Sequence, residues 1–81
     1  MPVIIAEWPK NAREVVRVDL HDFNRRHIVS AHVWYWDAAE LKPGKSGLTL
    51  AVKHLPALAD AIVKALDTAR EMGLLHDGGE Q

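Results

Sequence analysis

Residues 26–36 change side-chain character with a period of two, and no other segment constrains the fold as tightly. Val29, Ala31, Val33 and Tyr35 fall on one side, and Ile28, Ser30, His32, Trp34 and Trp36 on the other. That period belongs to a strand. The first set is mostly small and apolar, fit to lie under a helix. The second mixes polar and aromatic groups, fit for water or a ligand. Residues 13–21 repeat the pattern, with Val16, Val18 and Leu20 against Arg17, Asp19 and His21. Asp22-Phe23-Asn24-Arg25 reads as the hairpin connection between the two runs, because Asp and Asn favour turns. Val3-Ile4-Ile5 is a short apolar run closed by Trp8-Pro9-Lys10-Asn11, which reads as a turn, so residues 3–8 read as a short strand. After Trp36, residues 37–45 read as a loop around Pro43-Gly44, and Gly47 to Leu50 as a last short strand.

From about residue 53 the period becomes helical. Leu55, Leu58, Ile62, Leu66, Ala69 and Met72 fall near one stripe. Pro56 fits only near the helix start, and Gly73 suits its C-terminal stop. The predicted fold class is α+β: a four-stranded antiparallel meander, then one C-terminal helix over one face. Residues 1–75 read as a single domain and residues 76–81, with two glycines, as a flexible tail. The helix stripe has more apolar surface than so small a sheet buries, which predicts a second copy of the chain and hence a homodimer. In that reading Leu58, Ile62 and Leu66 cover the sheet and supply much of the dimer contact.

The net charge of −1, with histidines neutral, is not that of a strongly basic nucleic-acid binder. Residues 1–46 hold seven Lys/Arg and six Asp/Glu, and residues 47–81 hold three and five. Nucleic-acid affinity must therefore come from local arrangement and weaken with salt. There is no cysteine, hence no disulfide framework and no thiolate metal site. No apolar run is long enough to cross a bilayer and no signal segment is visible, so a cytoplasmic protein is expected. His21, His27 and His32 lack metal-ligand spacing, so no metal and no cofactor is expected. No nucleophile-elbow or phosphate-loop pattern is present, and an enzyme is not expected.

The run Trp34-Tyr35-Trp36 followed by Lys42 and Lys45 places aromatic faces beside flexible cations, a combination suited to unpaired bases and their phosphates. The same rings also suit a core or a dimer interface. Adjacent strand positions face opposite ways, so Tyr35 is assigned to the interior and Trp34 or Trp36 to the open face. Arg17 shares that face by alternation. Arg25-Arg26 sits in a turn, and Phe23 stands in a polar turn where a core role is hard to explain.

Three segments together carry a resemblance. They are Arg13-Glu14-Val15-Val16-Arg17-Val18-Asp19-Leu20-His21-Asp22-Phe23, Ile28-Val29-Ser30-Ala31-His32-Val33-Trp34-Tyr35, and Leu41-Lys42-Pro43-Gly44-Lys45-Ser46-Gly47-Leu48-Thr49-Leu50. From about residue 13 to residue 70 the chain resembles the C-terminal domain of the transcriptional coactivator positive cofactor four, and most of all that family's stand-alone bacterial members. The resemblance implies the Whirly-like coactivator fold, a curved antiparallel sheet plus helix working as a homodimer. It also implies binding of single-stranded DNA with little sequence preference, in transcription, replication or repair.

By position, the resemblance makes Phe23 a base-stacking residue and Arg25 and Arg26 backbone contacts. Trp34 and Tyr35 match the aromatic pair at the end of the long strand, and Lys42 and Lys45 the loop cations. His32 stands where the family usually has arginine, and Ser46 where its basic segment has a last lysine. The loop from Asp37 to Lys42 is about one residue shorter than in the eukaryotic domain. These departures predict weaker and more pH-dependent binding than the family norm.

The expected nucleic-acid site is therefore Arg17, Phe23, Arg25, Arg26, His32, Trp34, Trp36, Lys42 and Lys45. The expected partners are single-stranded DNA, with RNA as the alternative strand, a second copy of the chain and the transcription machinery, and no membrane. The expected location is cytoplasmic, nucleoid-associated in a bacterium. The competing reading keeps the fold and the dimer but gives the aromatic face to a protein partner such as polymerase, with DNA binding lost.

Overall fold

A computed structural model of the chain describes residues 2–75. Four strands run β1 (Val3–Pro9), β2 (Glu14–Phe23), β3 (Arg26–Asp37) and β4 (Glu40–Ala51). A 3-10 turn, Val52–His54, then leads into α1 (Leu55–Glu71). The sheet is an antiparallel meander in the order β1-β2-β3-β4. This is the predicted four-strand-then-helix order. The predicted tail, residues 76–81, lies outside the described residues. No helix among them is long and apolar enough to cross a membrane.

Two hairpins join the long strands. Asn24 (φ 51°) and Arg25 (φ 65°) both take the left-handed conformation, the pattern whose twist matches paired strands. Ala38-Ala39 closes the second hairpin, with Ala38 at φ 58° and Asp37 paired to Glu40. The predicted loop over residues 37–45 is therefore strand, apart from this turn. The Pro43-Gly44 pair that reads as a turn instead lies within β4, at a bulge. His32 pairs with Gly47 and Trp34 with Pro43, which leaves Gly44, Lys45 and Ser46 opposite Val33. Proline is tolerated there because β4 is an edge strand.

The glycines of this segment let β4 approach β3 closely. A Cβ on Gly44 would lie 2.6 Å from the Val33 carbonyl oxygen. One on Gly47 would lie 2.5 Å from the Ala31 oxygen and 2.4 Å from the His32 ring.

The helix does not do what the stripe predicts. It packs against the 3-10 turn and barely meets the strands. Leu55, Leu58 and Ala69 are half-buried, while Ile62 and Met72 are 60 % and 65 % exposed. Among the described residues Val29 and Ser30 alone are buried. The radius of gyration, 14.6 Å, exceeds the roughly 12 Å of a compact chain this long. Tyr35 is on the apolar face, as alternation requires, but with no helix over it remains 42 % exposed. Its assignment to the interior does not hold within one chain.

Candidate nucleic-acid interface

Directly opposed residues of an antiparallel pair share a face of the sheet. The register pairs Phe23 with Arg26, His21 with Ile28, Asp19 with Ser30, Arg17 with His32 and Val15 with Trp34. Trp36 follows Trp34 by two and lies on the same side. One face therefore gathers Phe23, Arg26, Arg17, His32, Trp34 and Trp36. The other carries Val16, Val18, Leu20, Val29, Ala31, Val33 and Tyr35. The alternation of β2 and β3 decides the whole arrangement.

The rings on the first face differ in availability. Phe23 ends β2, beside the turn, and is 64 % exposed. Trp36 is 49 % exposed. Trp34 is half-buried, and the Arg17 guanidinium carbon lies 4.1 Å from its ring centre. That cation–π contact covers part of the indole surface. Arg17 also donates from Nε to Glu7 Oε2 at 2.7 Å. Glu7 sits directly opposite it on β1.

His32 is held as closely. Its Nδ1 is 2.6 Å from the Oγ of buried Ser30, and its Nε2 is 3.5 Å from Thr49 Oγ1. The ring lies against Gly47, where any Cβ would strike it. On the same face Asp19 accepts from His21 Nδ1 at 2.8 Å, so this carboxylate already has a partner.

The lysines are placed differently from expectation. Lys42 pairs across the sheet with Tyr35 and so belongs to the opposite face. Its Nζ donates to Asp37 Oδ2 at 2.7 Å and is 4.0 Å from Glu40 Oε1. Both lysines lie in β4, not in a loop. Lys45 is in the bulge and lines a cleft with Glu14, Val33 and Tyr35, residues of the opposite face. Arg25 and Arg26 border a notch at the end of the β2–β3 hairpin. His27, Ala51, Val52 and Lys53 complete its lining.

Lys53 was not a sequence candidate. Its place at the onset of the helical period concealed that the 3-10 turn returns it to the hairpin end. Glu7 was missed as well; its spacing from Trp8-Pro9 gives no sign that it faces Arg17. Among the described residues no group of His, Asp and Glu could hold a metal ion.

No family model and no curated protein matches the sequence. Solved structures do match. A PC4 homolog from Burkholderia pseudomallei superimposes with a TM-score of 0.72 and 18 % identity, covering 80 % of this chain and 97 % of that one. MoSub1, solved in complex with DNA, is 28 % identical with a TM-score of 0.63, over 89 % of this chain and 87 % of that one. A bacteriophage T5 homolog of the eukaryotic transcription coactivator PC4 is 20 % identical with a TM-score of 0.65, over 86 % and 80 %. That protein is implicated in recombination-dependent DNA replication. With its antiparallel meander and single following helix, the chain shares the fold of these PC4-like proteins.

Proposed function

We propose that the chain is a single-stranded DNA-binding protein with little sequence preference, and not an enzyme. One observation carries the reading: a single sheet face brings Phe23, Trp34 and Trp36 together with Arg17, Arg26 and His32. Flat rings accept any base, and cations beside them accept the backbone, which gives affinity without sequence readout. The likeness to MoSub1, which was solved with DNA, supports the same reading. Phe23 and Trp36 stack on bases, and Trp34 does so through Arg17. Arg25, Arg26 and Lys53 hold phosphates at the hairpin end. The protein acts in transcription or in DNA replication and repair, in the cytoplasm, as a homodimer whose exposed helices cover one another. Two linked faces on one strand raise the effective affinity without new contacts.

A second reading has its own support. Arg17 and Lys42 are already paired with carboxylates, and the net charge is −1. Such a face also suits a protein partner in the transcription machinery. Titration with oligo-dT, followed by tryptophan fluorescence in a Trp8→Phe background, separates the two. Trp8 pairs with Val16 on the far face and would only add background. Quenching at low salt, with log Kd against log salt sloping by about 2 to 3.5 for three to five phosphates, is expected. A signal that ignores oligo-dT, or a flat salt response, refutes the DNA reading.

A further inference from the structure

The proposed face contains one acidic side chain directly bound to one of its cations. Glu7, on β1, sits opposite Arg17, and the Nε–H of Arg17 donates to Glu7 Oε2 at 2.7 Å. The guanidinium is fixed on its other side by Trp34, at 4.1 Å from the ring centre. The Arg17 side chain is 19 % exposed and that of Glu7 40 % exposed. The pair is thus reachable from solvent, with the carboxylate as its outer member. A carboxylate and a phosphodiester offer a guanidinium the same kind of oxygen acceptor.

We propose that Glu7 sets the affinity of this face. It holds the Arg17 Nε–H, where a backbone phosphate would otherwise bind, so nucleic acid takes up that donor only by displacing it. The inference rests on the single-strand reading and adds a residue that neither the spacing nor the resemblance supplied. Exposed ion pairs are weak, so the displacement is accessible. It is opposed twice, because Arg17 must change partner and the released carboxylate then repels the incoming phosphate. Trp34 keeps the guanidinium flat during the exchange, because the planar cation can stay on the indole while its acceptor changes. Of the neighbouring acids, Asp19 is held by His21. That leaves Glu7 as the acidic competitor for Arg17.

The test is Glu7→Gln, which keeps shape and removes charge, with oligo-dT as probe. Affinity at low salt rises by about threefold to tenfold. The salt slope steepens by about 0.7, the share of one further phosphate on a single strand. The gain vanishes near molar salt, and it is absent when Glu7→Gln is placed on Arg17→Gln. A purely structural role for Glu7 would not move the slope. Melting temperatures of all variants confirm that each is folded.

If the unaltered protein binds and Glu7→Gln binds no better, the proposal is wrong while the DNA reading stands. A gain that persists on Arg17→Gln also overturns it, since Glu7 then acts through the general field. Binding by Glu7→Gln alone supports it. Absence of binding by both proteins overturns the DNA reading and this assignment together.

Discussion

Replacing Gly47 by alanine tests the geometry on which His32 depends. Gly47 has φ +152°, a conformation that residues with a Cβ rarely adopt. Strain of that kind costs about 1–3 kcal/mol. The added methyl would also lie 2.5 Å from the Ala31 carbonyl oxygen and 2.4 Å from His32 Cδ2. The first contact is with backbone inside the sheet, so β4 must move away from β3. Overpacking of this severity adds about 1–3 kcal/mol. The total, about 2–6 kcal/mol, is large for a domain whose stability begins near 5 kcal/mol.

At roughly 4–8 °C per kcal/mol, the midpoint should fall by at least about 8 °C. The assay is thermal melting by circular dichroism at one fixed protein concentration. Gly73→Ala is the control. It has φ +73° but nothing within 4 Å, so it should lose about 1 kcal/mol from backbone strain alone. In the folded fraction, oligo-dT binding by Gly47→Ala should also weaken, because His32 is pushed off its hydroxyl partners. If Gly47→Ala and Gly73→Ala melt within about 2 °C of each other, the close strand approach at the bulge is wrong.

Other expectations follow from the same geometry. Phe23→Ala should weaken oligo-dT binding by about 1–3 kcal/mol with little change in melting, since the ring is 64 % exposed; fluorescence titration and a melt check both. Lys53→Ala should lower the salt slope by about 0.7, whereas Lys42→Ala, on the far face and paired with Asp37, should leave it unchanged. Glu14 has its carboxyl held below the ordinary 4.5, first by the Asn11 side-chain amide and then by Lys10. Its folded form therefore favours the ionised state, so its contribution is present above pH 4.5 and fades as the pH falls below it. Asn11→Ala should flatten that part of a plot of melting temperature against pH.

Much of the face was legible because strand alternation is a strict rule. Once Arg17 and Trp34 are placed on β2 and β3, their shared side follows from parity. The antiparallel register then adds Phe23 and Arg26. The Pro43-Gly44 segment was misread because a bulge and a turn use the same residues. What separates them is whether the chain beyond rejoins its neighbour, a long-range fact that no local window contains. Reading 37–45 as a loop left Lys42 free to point anywhere, and the strand fixes it on the Tyr35 side. The helix stripe was legible as an apolar surface. Amphipathicity names no partner, though, and the single chain's own sheet is not it. Glu7 was illegible because its contact depends on the register of β1, which carries its own irregularity between Ile4 and Ala6.

The helix standing clear of its sheet leaves Ile62, Val63 and Leu66 facing solvent. Under the proposed pairing, those side chains find shelter only when two molecules meet. Dilution then acts as a denaturant, and a melting point without a stated protein concentration describes no property of the molecule.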